Sequence, residues 1–192
     1  MAVKFHLSIF CVTILLLCGC STVVVRKNPL PVRAADEVRF ATIPIVEALL
    51  AQRCTVAQAV SGTWKDHAFA AEVIMKGEDG KFTAVFLAPQ MRLATITLTP
   101  PHTICYERAA QIPRMFDPEY ALADLAFANL DVDALRRATE PVLLIEEDAD
   151  GTRRISAGGR LIAELRKNPD STRTFRNHVH GYEYTLRDIP LQ

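Results

Sequence analysis

The sequence has no excess of either charge. Lys and Arg together number 22, and Asp and Glu also number 22. A polyanion such as nucleic acid is attracted mainly by an excess of basic charge on the protein. The composition therefore gives no reason to expect nucleic acid as a partner.

The signatures of common enzymes are missing as well. The chain lacks the Gly-x-Ser-x-Gly turn of serine hydrolases, a Gly-rich phosphate-binding loop and the His-Glu-x-x-His pair of zinc proteases. His178 and His180 lie two residues apart, so on a strand both would point to one face, but no third ligand can be placed beside them. We therefore expect no enzyme, no cofactor and no metal site, and we interpret the two histidines as polar residues at a strand end.

Cysteine is scarce in the part of the chain that is expected to fold. Of five cysteines, Cys11 and Cys18 fall in an N-terminal apolar segment, and Cys20 follows it. Cys54 and Cys105 remain, on strands that touch only if a sheet closes. Outside the cytoplasm the two thiols could form a disulfide. Two buried, unpaired cysteines are the favoured alternative.

Long apolar runs are limited to one. Residues 7–18 are almost wholly apolar and are preceded by Lys4. This run of about a dozen residues is shorter than the roughly 20 that a transmembrane helix needs. Its position after a basic start is typical of a secretory signal. We therefore expect residues 1–19 to be a signal peptide.

The end of this run, Leu17-Cys18-Gly19-Cys20, resembles the lipobox of bacterial lipoproteins. The resemblance implies cleavage after Gly19, a thioether-linked diacylglycerol on Cys20 and acylation of the new amino group. The lipid anchor would be the contact with the membrane. Because Ser21 and not Asp follows the cysteine, the enteric sorting pattern implies the periplasmic face of the outer membrane. The alternative is an ordinary cleaved signal with an incidental cysteine.

Residues 20–38 are interpreted as a lipidated tether in front of a folded domain at 39–192. Pro29 and Pro31 interrupt this segment, which shows no amphipathic period. A random coil of this length spans on the order of 25 Å, and its extended limit is about 60 Å. The domain is therefore expected to hang clear of the membrane.

Runs of β-forming residues alternate with turn residues throughout the domain. Asp79-Gly80 between two such runs is typical of a hairpin, because both turn positions favour positive φ. Asp117 before Pro118 predicts a capped helix start, and Asp131 predicts a second one. The spacing of the turns predicts an antiparallel meander interrupted by two short helices. We predict a helix at 44–52 and strands at 53–61, 65–76, 81–88, 92–99, 102–107, 141–148, 152–157, 160–167, 171–179 and 182–187.

Three motifs stand in a characteristic order: Phe86-Leu87-Ala88-Pro89-Gln90-Met91-Arg92-Leu93, then Ile112-Pro113 followed by Pro118-Glu119-Tyr120-Ala121-Leu122-Ala123-Asp124-Leu125, then Asn177-x-x-x-Gly181-Tyr182. Over residues 55–189 the chain resembles the LolA/LolB superfamily of periplasmic lipoprotein carriers. More narrowly, it is similar to a family of LolB-like outer-membrane lipoproteins that is often linked to aryl-polyene-type gene clusters. The resemblance implies a mainly β fold with short helices (α+β), in which an antiparallel curved sheet or half-barrel of about ten strands has helices plugging its mouth. Met91 lies nearest to the place where LolB projects a lone apolar side chain from a loop.

The strands carry more apolar side chains than one thin layer needs. Residues 82–88 are apolar on both faces, which is typical of a strand that is covered on both sides or faces a cavity. We predict a cavity for an acyl or polyene lipid, or for a lipoprotein, roofed by the helix that begins at Asp117. The alternative is a filled core in an interaction protein of an envelope assembly, whose protein partner is unknown. The candidate lining residues are Phe69, Val73, Phe82, Phe86, Ile96, Leu98, Phe116, Leu122 and Leu125.

The lipobox yields a direct test. Cys20→Ala removes the thiol that accepts the diacylglycerol, so it should abolish fatty-acid labelling and leave the precursor uncut at this site. Stable anchoring requires more than one acyl chain, and the variant should therefore also leave the membrane fraction. Normal labelling of Cys20→Ala would contradict the assignment.

Overall fold

The computed structural model describes residues 24–26, 42–64, 67–89, 91–110, 117–140 and 142–191. Within these ranges, eleven strands form one antiparallel sheet, which is curved and does not close, and three short helices accompany it. The predicted fold class is confirmed. The strands are β1 Val24–Arg26, β2 Cys54–Trp64, β3 His67–Glu78, β4 Lys81–Ala88, β5 Met91–Thr99, β6 Thr103–Arg108, β7 Leu144–Glu147, β8 Arg153–Ala157, β9 Arg160–Lys167, β10 Arg173–Asn177 and β11 Tyr182–Ile189. The helices are α1 Thr42–Ala48, continued by a 3-10 turn at Leu49–Ala51, α2 Pro118–Asn129 and α3 Val132–Thr139.

The strand order shows that two meanders are joined at the centre of the sheet. The order is β1-β6-β5-β4-β3-β2-β11-β10-β9-β8-β7, so β6 and β7 lie near opposite edges. The chain between them, which contains α2 and α3, passes from one side of the sheet to the other. The second meander then returns strand by strand until β11 pairs with β2.

Buried residues alternate with more exposed ones along the strands, so one face of the sheet packs into the core. In β5 the buried residues are Ala94, Ile96 and Leu98, with half-buried residues between them. The register pairs Phe86 with both Val73 and Ala94, so these side chains share a face. Residues of this face form a single cluster with apolar side chains of the three helices, and we call it the inner face.

Helix α2 begins where the sequence predicts. The side chain of Asp117 accepts a hydrogen bond from the backbone N–H of Glu119 at 3.0 Å, and Pro118 occupies the first turn. In the same way, Asp131 accepts from the N–H of Ala134 at 2.7 Å at the start of α3. Nine residues of α2 are buried, so this helix is enclosed on nearly all sides and is not a surface helix with one apolar stripe.

Strand β1 corrects the interpretation of the tether. Val24–Arg26 pairs antiparallel with β6, with Val25 opposite Cys105. The expectation of a segment without regular structure is wrong for these three residues. Their pairing covers an edge that β6 would otherwise expose, which gives them hydrogen-bond partners that local sequence does not reveal. Residues 1–19, Cys20 and the rest of the tether lie outside the described residues.

The turns lie alternately at two ends of the sheet. The hairpins β2–β3, β4–β5, β8–β9 and β10–β11 turn at one end, which we call the mouth end. The hairpins β3–β4, β5–β6, β7–β8 and β9–β10 turn at the other, which we call the acidic end because its turns contain four aspartates and no Lys or Arg. Those aspartates are Asp79, Asp148, Asp150 and Asp170.

The two remaining cysteines are not bonded to each other. Cys54 lies on β2 and Cys105 on β6, with three strands between them in the sheet, and both are free. The favoured alternative of unpaired thiols is the one that the structure shows. Within the described ranges, no helix is long and apolar enough to span a bilayer.

The centre of the sheet depends on a glycine. Gly62 on β2 lies opposite Tyr184 on β11, and a Cβ at this position would come within 2.3 Å of the carbonyl oxygen of Glu183. Backbone cannot move aside as a flexible side chain can. Gly62→Ala should therefore lower the free energy of unfolding by about 1–3 kcal/mol, measured by urea denaturation. Ser61→Ala, at the exposed neighbouring position, is the matched control, and equal midpoints for the two variants would show that β2 and β11 can separate without cost.

Candidate functional site

Most of the candidate cavity residues meet in one packed core. Six of them are fully buried in the continuous apolar cluster, and Phe86 packs against it. Phe69 is exposed, and Phe116 lies outside the described residues. The helix residues of the set are therefore neighbours of the strand residues, as the candidate site requires, but they fill the inner face. The six buried residues are Val73, Phe82, Ile96, Leu98, Leu122 and Leu125.

Two apolar residues extend the inner face beyond the part that the core covers. Phe69 lies four residues before Val73 on β3, so it shares the same face, but it is 39% exposed where Val73 is 1% exposed. Met91 is 40% exposed, and it pairs with Ala88 across a shift in register between Phe86 and Leu87. Both residues lie at the mouth end. An apolar surface thus runs from the core to the solvent at this end of the sheet.

A buried polar cluster fastens α2 to the sheet, and we call Asp124, Asn177 and Tyr182 the Asp124 cluster. The hydroxyl of Tyr182 donates to one carboxylate oxygen of Asp124, and Nδ2 of Asn177 lies 3.4 Å from the other. Nδ2 of Asn177 is also 3.1 Å from the hydroxyl of Tyr182. The three residues come from two of the motifs that carry the LolB-like resemblance. Their contact explains why an acidic residue stands in a helix that is otherwise mainly Ala and Leu.

Asn177 also shapes the turn between β10 and β11. Its side-chain oxygen accepts hydrogen bonds from the backbone N–H groups of Val179 at 3.0 Å and His180 at 2.9 Å. Gly181 then adopts a φ of +66°, which glycine tolerates without strain. This turn ends β10 at Asn177, earlier than the predicted strand, and it places His178 and His180 in an exposed turn and not on a strand.

Burial controls the ionisation of the Asp124 cluster. Desolvation raises the pKa of Asp124 from 3.8 to about 7, although the hydrogen bonds from Tyr182 and Asn177 act in the opposite direction. Burial, followed by the nearby charge of Asp124, raises the pKa of Tyr182. The tyrosine therefore remains protonated as a donor, while the charge of Asp124 changes near neutral pH.

Aromatic rings follow the cluster from the surface into the core. Tyr120 on α2 meets His180 edge to face with ring centroids 4.7 Å apart. His180 and Tyr182 lie nearly parallel with centroids 6.2 Å apart, and Tyr182 is again 6.2 Å from Tyr184. Tyr184 stacks on Phe175 with centroids 4.9 Å apart. This aromatic row begins at the mouth end and finishes among buried side chains.

Polar contacts also hold the C-terminal end of α2. The side chain of Gln58, buried on β2, donates to the side-chain oxygen of Asn129 at 2.7 Å. Arg173 donates to the carbonyl oxygen of Ala128 at 2.6 Å. Nη1 of Arg153 lies 2.8 Å from the carbonyl oxygens of both Phe127 and Leu130. Because these carbonyls end the helix and lack partners within it, the contacts anchor α2 at the end opposite Tyr120.

Two depressions on the described surface are polar. One lies beside the β10–β11 turn and includes Arg176, Asn177 and Glu183. A second lies between α3 and the β7–β8 hairpin and includes Asp133 and Arg153. Neither contains any of the apolar residues proposed to line a cavity. Among the described residues, no three potential metal ligands come together.

Sequence reasoning missed the Asp124 cluster. In the sequence Asp124 stands within an apolar motif, and its partners lie 53 and 58 residues further along the chain. One local signal was available: an aspartate in the middle of an apolar helix is costly unless its charge is paired or its carboxyl is hydrogen-bonded.

Comparison with known proteins gives a family. A family model described as "Protein of unknown function (DUF3261)" matches residues 55–190. This range contains nearly all of the sheet from β2 to β11, together with α2 and α3. No curated protein and no solved structure matches the chain.

The raised pKa of Asp124 predicts a pH-dependent stability. An unfolded Asp ionises near pH 4, whereas folded Asp124 ionises near pH 7. Between these values the folded state holds a proton that the unfolded state has released, so the stability that this group contributes falls as pH rises through the window. Asp124→Asn should remove this part of the pH dependence in thermal unfolding measured from about pH 4 to pH 8. Asp133→Asn, on the exposed face of α3, should keep the wild-type profile. Identical profiles for all three proteins would contradict the role of Asp124.

Proposed function

The chain belongs to the DUF3261 family of proteins of unknown function, and we propose that it is a lipid-anchored protein of the bacterial envelope that accepts a hydrophobic cargo. The anchor is the lipid on Cys20, at the periplasmic face of the outer membrane. The cargo enters at the mouth end of the sheet and is an acyl or polyene lipid, or the acyl chains of a lipoprotein. The LolB-like resemblance suggests this class of cargo.

One observation carries the proposal: the apolar inner face continues past its own core to Phe69. Exposed Phe69 lies four positions before buried Val73, or roughly 13 Å along the strand. An isolated exposed apolar residue is ordinary, but Phe69 continues a face whose next residues are core, and Met91 lies at the same end. Such a surface gives an acyl chain a first contact that leads inward.

Entry of a long cargo requires α2 to move, because side chains of this helix occupy the inner face. The contacts that must break are those of the Asp124 cluster and of Arg153, Arg173 and Gln58. The six hydrogen bonds from these residues to α2 and its C-cap contribute about 0.5–1.5 kcal/mol each, and each large apolar side chain of α2 that leaves the core costs about 1.5–3 kcal/mol more. A cargo that displaces α2 must therefore bury at least as much apolar surface as the helix does.

A second candidate function follows from a different surface. The filled inner face and the exposed pair Val142 and Leu144 favour an interaction protein of an envelope assembly. Leu144 is 58% exposed at the start of β7, the edge strand that no described strand covers. An uncovered edge with apolar side chains is a common docking site for a partner protein.

The two functions predict different effects for substitutions at the two surfaces. Phe69→Asp should weaken binding of a fluorescent fatty acid roughly tenfold, since a buried Phe contributes about 1.5–3 kcal/mol. The fold should survive, because Phe69 is already partly exposed. The matched control is Leu191→Asp, at an apolar position that is 51% exposed and lies at the other end of β11.

Absence of fatty-acid binding by the wild type would refute the carrier function. Equal weakening by Phe69→Asp and Leu191→Asp would show that binding does not use the mouth end. The interaction function instead predicts that the protein can be cross-linked to a partner protein in its own membrane. Leu144→Asp should abolish this cross-link, and Phe69→Asp should not.

A further inference from the structure

Strand β1 is held by the smallest ladder among the described strands. It pairs with β6 through three register pairs, whereas each of the other ladders has at least four. Strand β1 stands at the end of the strand order, so β6 is its one neighbour among the described strands. Separating β1 from β6 would therefore leave the remaining ladders of the sheet intact.

The hydrogen-bonding groups of β6 alternate between its two neighbours. The N–H of Ala109, just after β6, donates to the carbonyl oxygen of Leu93 on the β5 side at 2.8 Å. In an antiparallel ladder every second residue bonds to the same neighbour, and β5 pairs with β6 without a shift in register. By this alternation the backbone N–H and C=O groups of Ile104 and Tyr106 point away from β5, towards β1.

Strand β1 meets these groups with its first and last residues. Val24 and Arg26 lie opposite them in the register, so both exchange backbone hydrogen bonds with β6. Val25 lies between the two, opposite Cys105, and forms a non-hydrogen-bonded pair with it. The N–H of Val25 therefore points away from β6, to the outer side of the strand.

The edge of β6 presents a different surface on each face. Ile104 and Tyr106 belong to the buried core of the inner face. Cys105 is half-buried on the opposite face, where Thr97 lies beside it on β5. The strand that the edge accepts here contains two β-branched residues and one arginine, and β-branched residues suit an extended conformation.

From these observations we propose that the edge of β6 is a docking site for an extended peptide segment of a partner protein, and that β1 occupies this site until the partner segment replaces it. The segment adds to the sheet as an antiparallel strand, so main-chain hydrogen bonds supply most of its affinity. Its chemistry is that of β1, with β-branched residues opposite Tyr106 and Cys105. The site is separate from the mouth end and requires neither the lipid anchor nor a hydrophobic cargo.

Competition within the chain keeps the site selective. Because β1 belongs to the same chain as β6, its effective concentration at the edge is on the order of millimolar. A partner segment therefore needs a higher local concentration or a longer ladder than the three pairs of β1. While β1 is in place, it also covers an edge that would otherwise be open to unwanted pairing.

Two proline variants test whether β1 can be replaced. Val24→Pro removes an N–H that bonds to β6, which proline cannot supply, so β1 should detach. Val25→Pro is the matched control, since an edge strand tolerates proline where the N–H faces outwards. The probe is a fluorescein-labelled peptide with the sequence of residues 21–28, added to the full-length protein and followed by anisotropy. It should bind Val24→Pro roughly tenfold more tightly than the wild type or Val25→Pro.

A disulfide can fix β1 in place. The Cα atoms of a non-hydrogen-bonded antiparallel pair are about 4.5 Å apart, which is within the range that a disulfide spans. Oxidised Val25→Cys should therefore form a bond to Cys105 and lose binding of the probe, and reduction with dithiothreitol should restore it. The double variant Val25→Cys with Cys105→Ser is the control, and it should bind the probe equally in both states.

Each outcome bears on one part of the proposal. Failure of the probe to bind Val24→Pro would overturn the docking site. Equal binding by oxidised and reduced Val25→Cys would show that the probe attaches elsewhere. Unfolding of Val24→Pro, measured by circular dichroism, would show that β1 is an integral strand that no partner replaces. A dimer of Val24→Pro that excludes the probe would assign the edge to a second copy of the chain and overturn the partner segment.

Discussion

The pairing of β2 with β11 is the interaction on which the rest of the structure depends. It joins residues from the two ends of the domain through eight register pairs, from Tyr182 opposite Trp64 to Ile189 opposite Ala57. Without this ladder each meander would have two edges and half of an inner face, too little to bury the helices. Gly62 permits the close approach of the two strands, so one missing side chain at the centre supports a sheet of eleven strands.

The interior combines apolar packing with a few polar contacts that fix position. Apolar burial supplies most of the stability but has little directional preference. The contacts of α2 supply direction: Asp124 meets Tyr182 in the middle of the helix, and Arg153 meets carbonyl oxygens at its C-terminal end. A helix that is held in this way has one defined position on the inner face.

Local chemistry was sufficient to predict most of the secondary structure. Asp79-Gly80 indicated the β3–β4 hairpin, Asp117 before Pro118 indicated the start of α2, and β4 and β9 have the predicted bounds. Strand β1 was missed because three residues with no alternating pattern carry no local signal; their stability comes from β6. Strand β10 is shorter than predicted because Asn177 bonds to the turn that follows it. The packed state of the inner face could not be predicted either. Phe69 and Val73 share a face of β3 and have the same pattern in the sequence, but Val73 lies within the core cluster and Phe69 does not.

The position of β11 has a consequence for how the chain folds. A chain that becomes available for folding from its N-terminus presents β2 early and β11 last. The first meander, β2 to β6, can assemble from neighbouring strands, but β2 keeps an open edge until nearly the whole chain is available. Ladders between distant segments also form more slowly than local hairpins. For this interval the exposed edge of β2 is a point where chaperones can act or where two incomplete copies can pair. A chain truncated before Tyr182 remains in this state permanently.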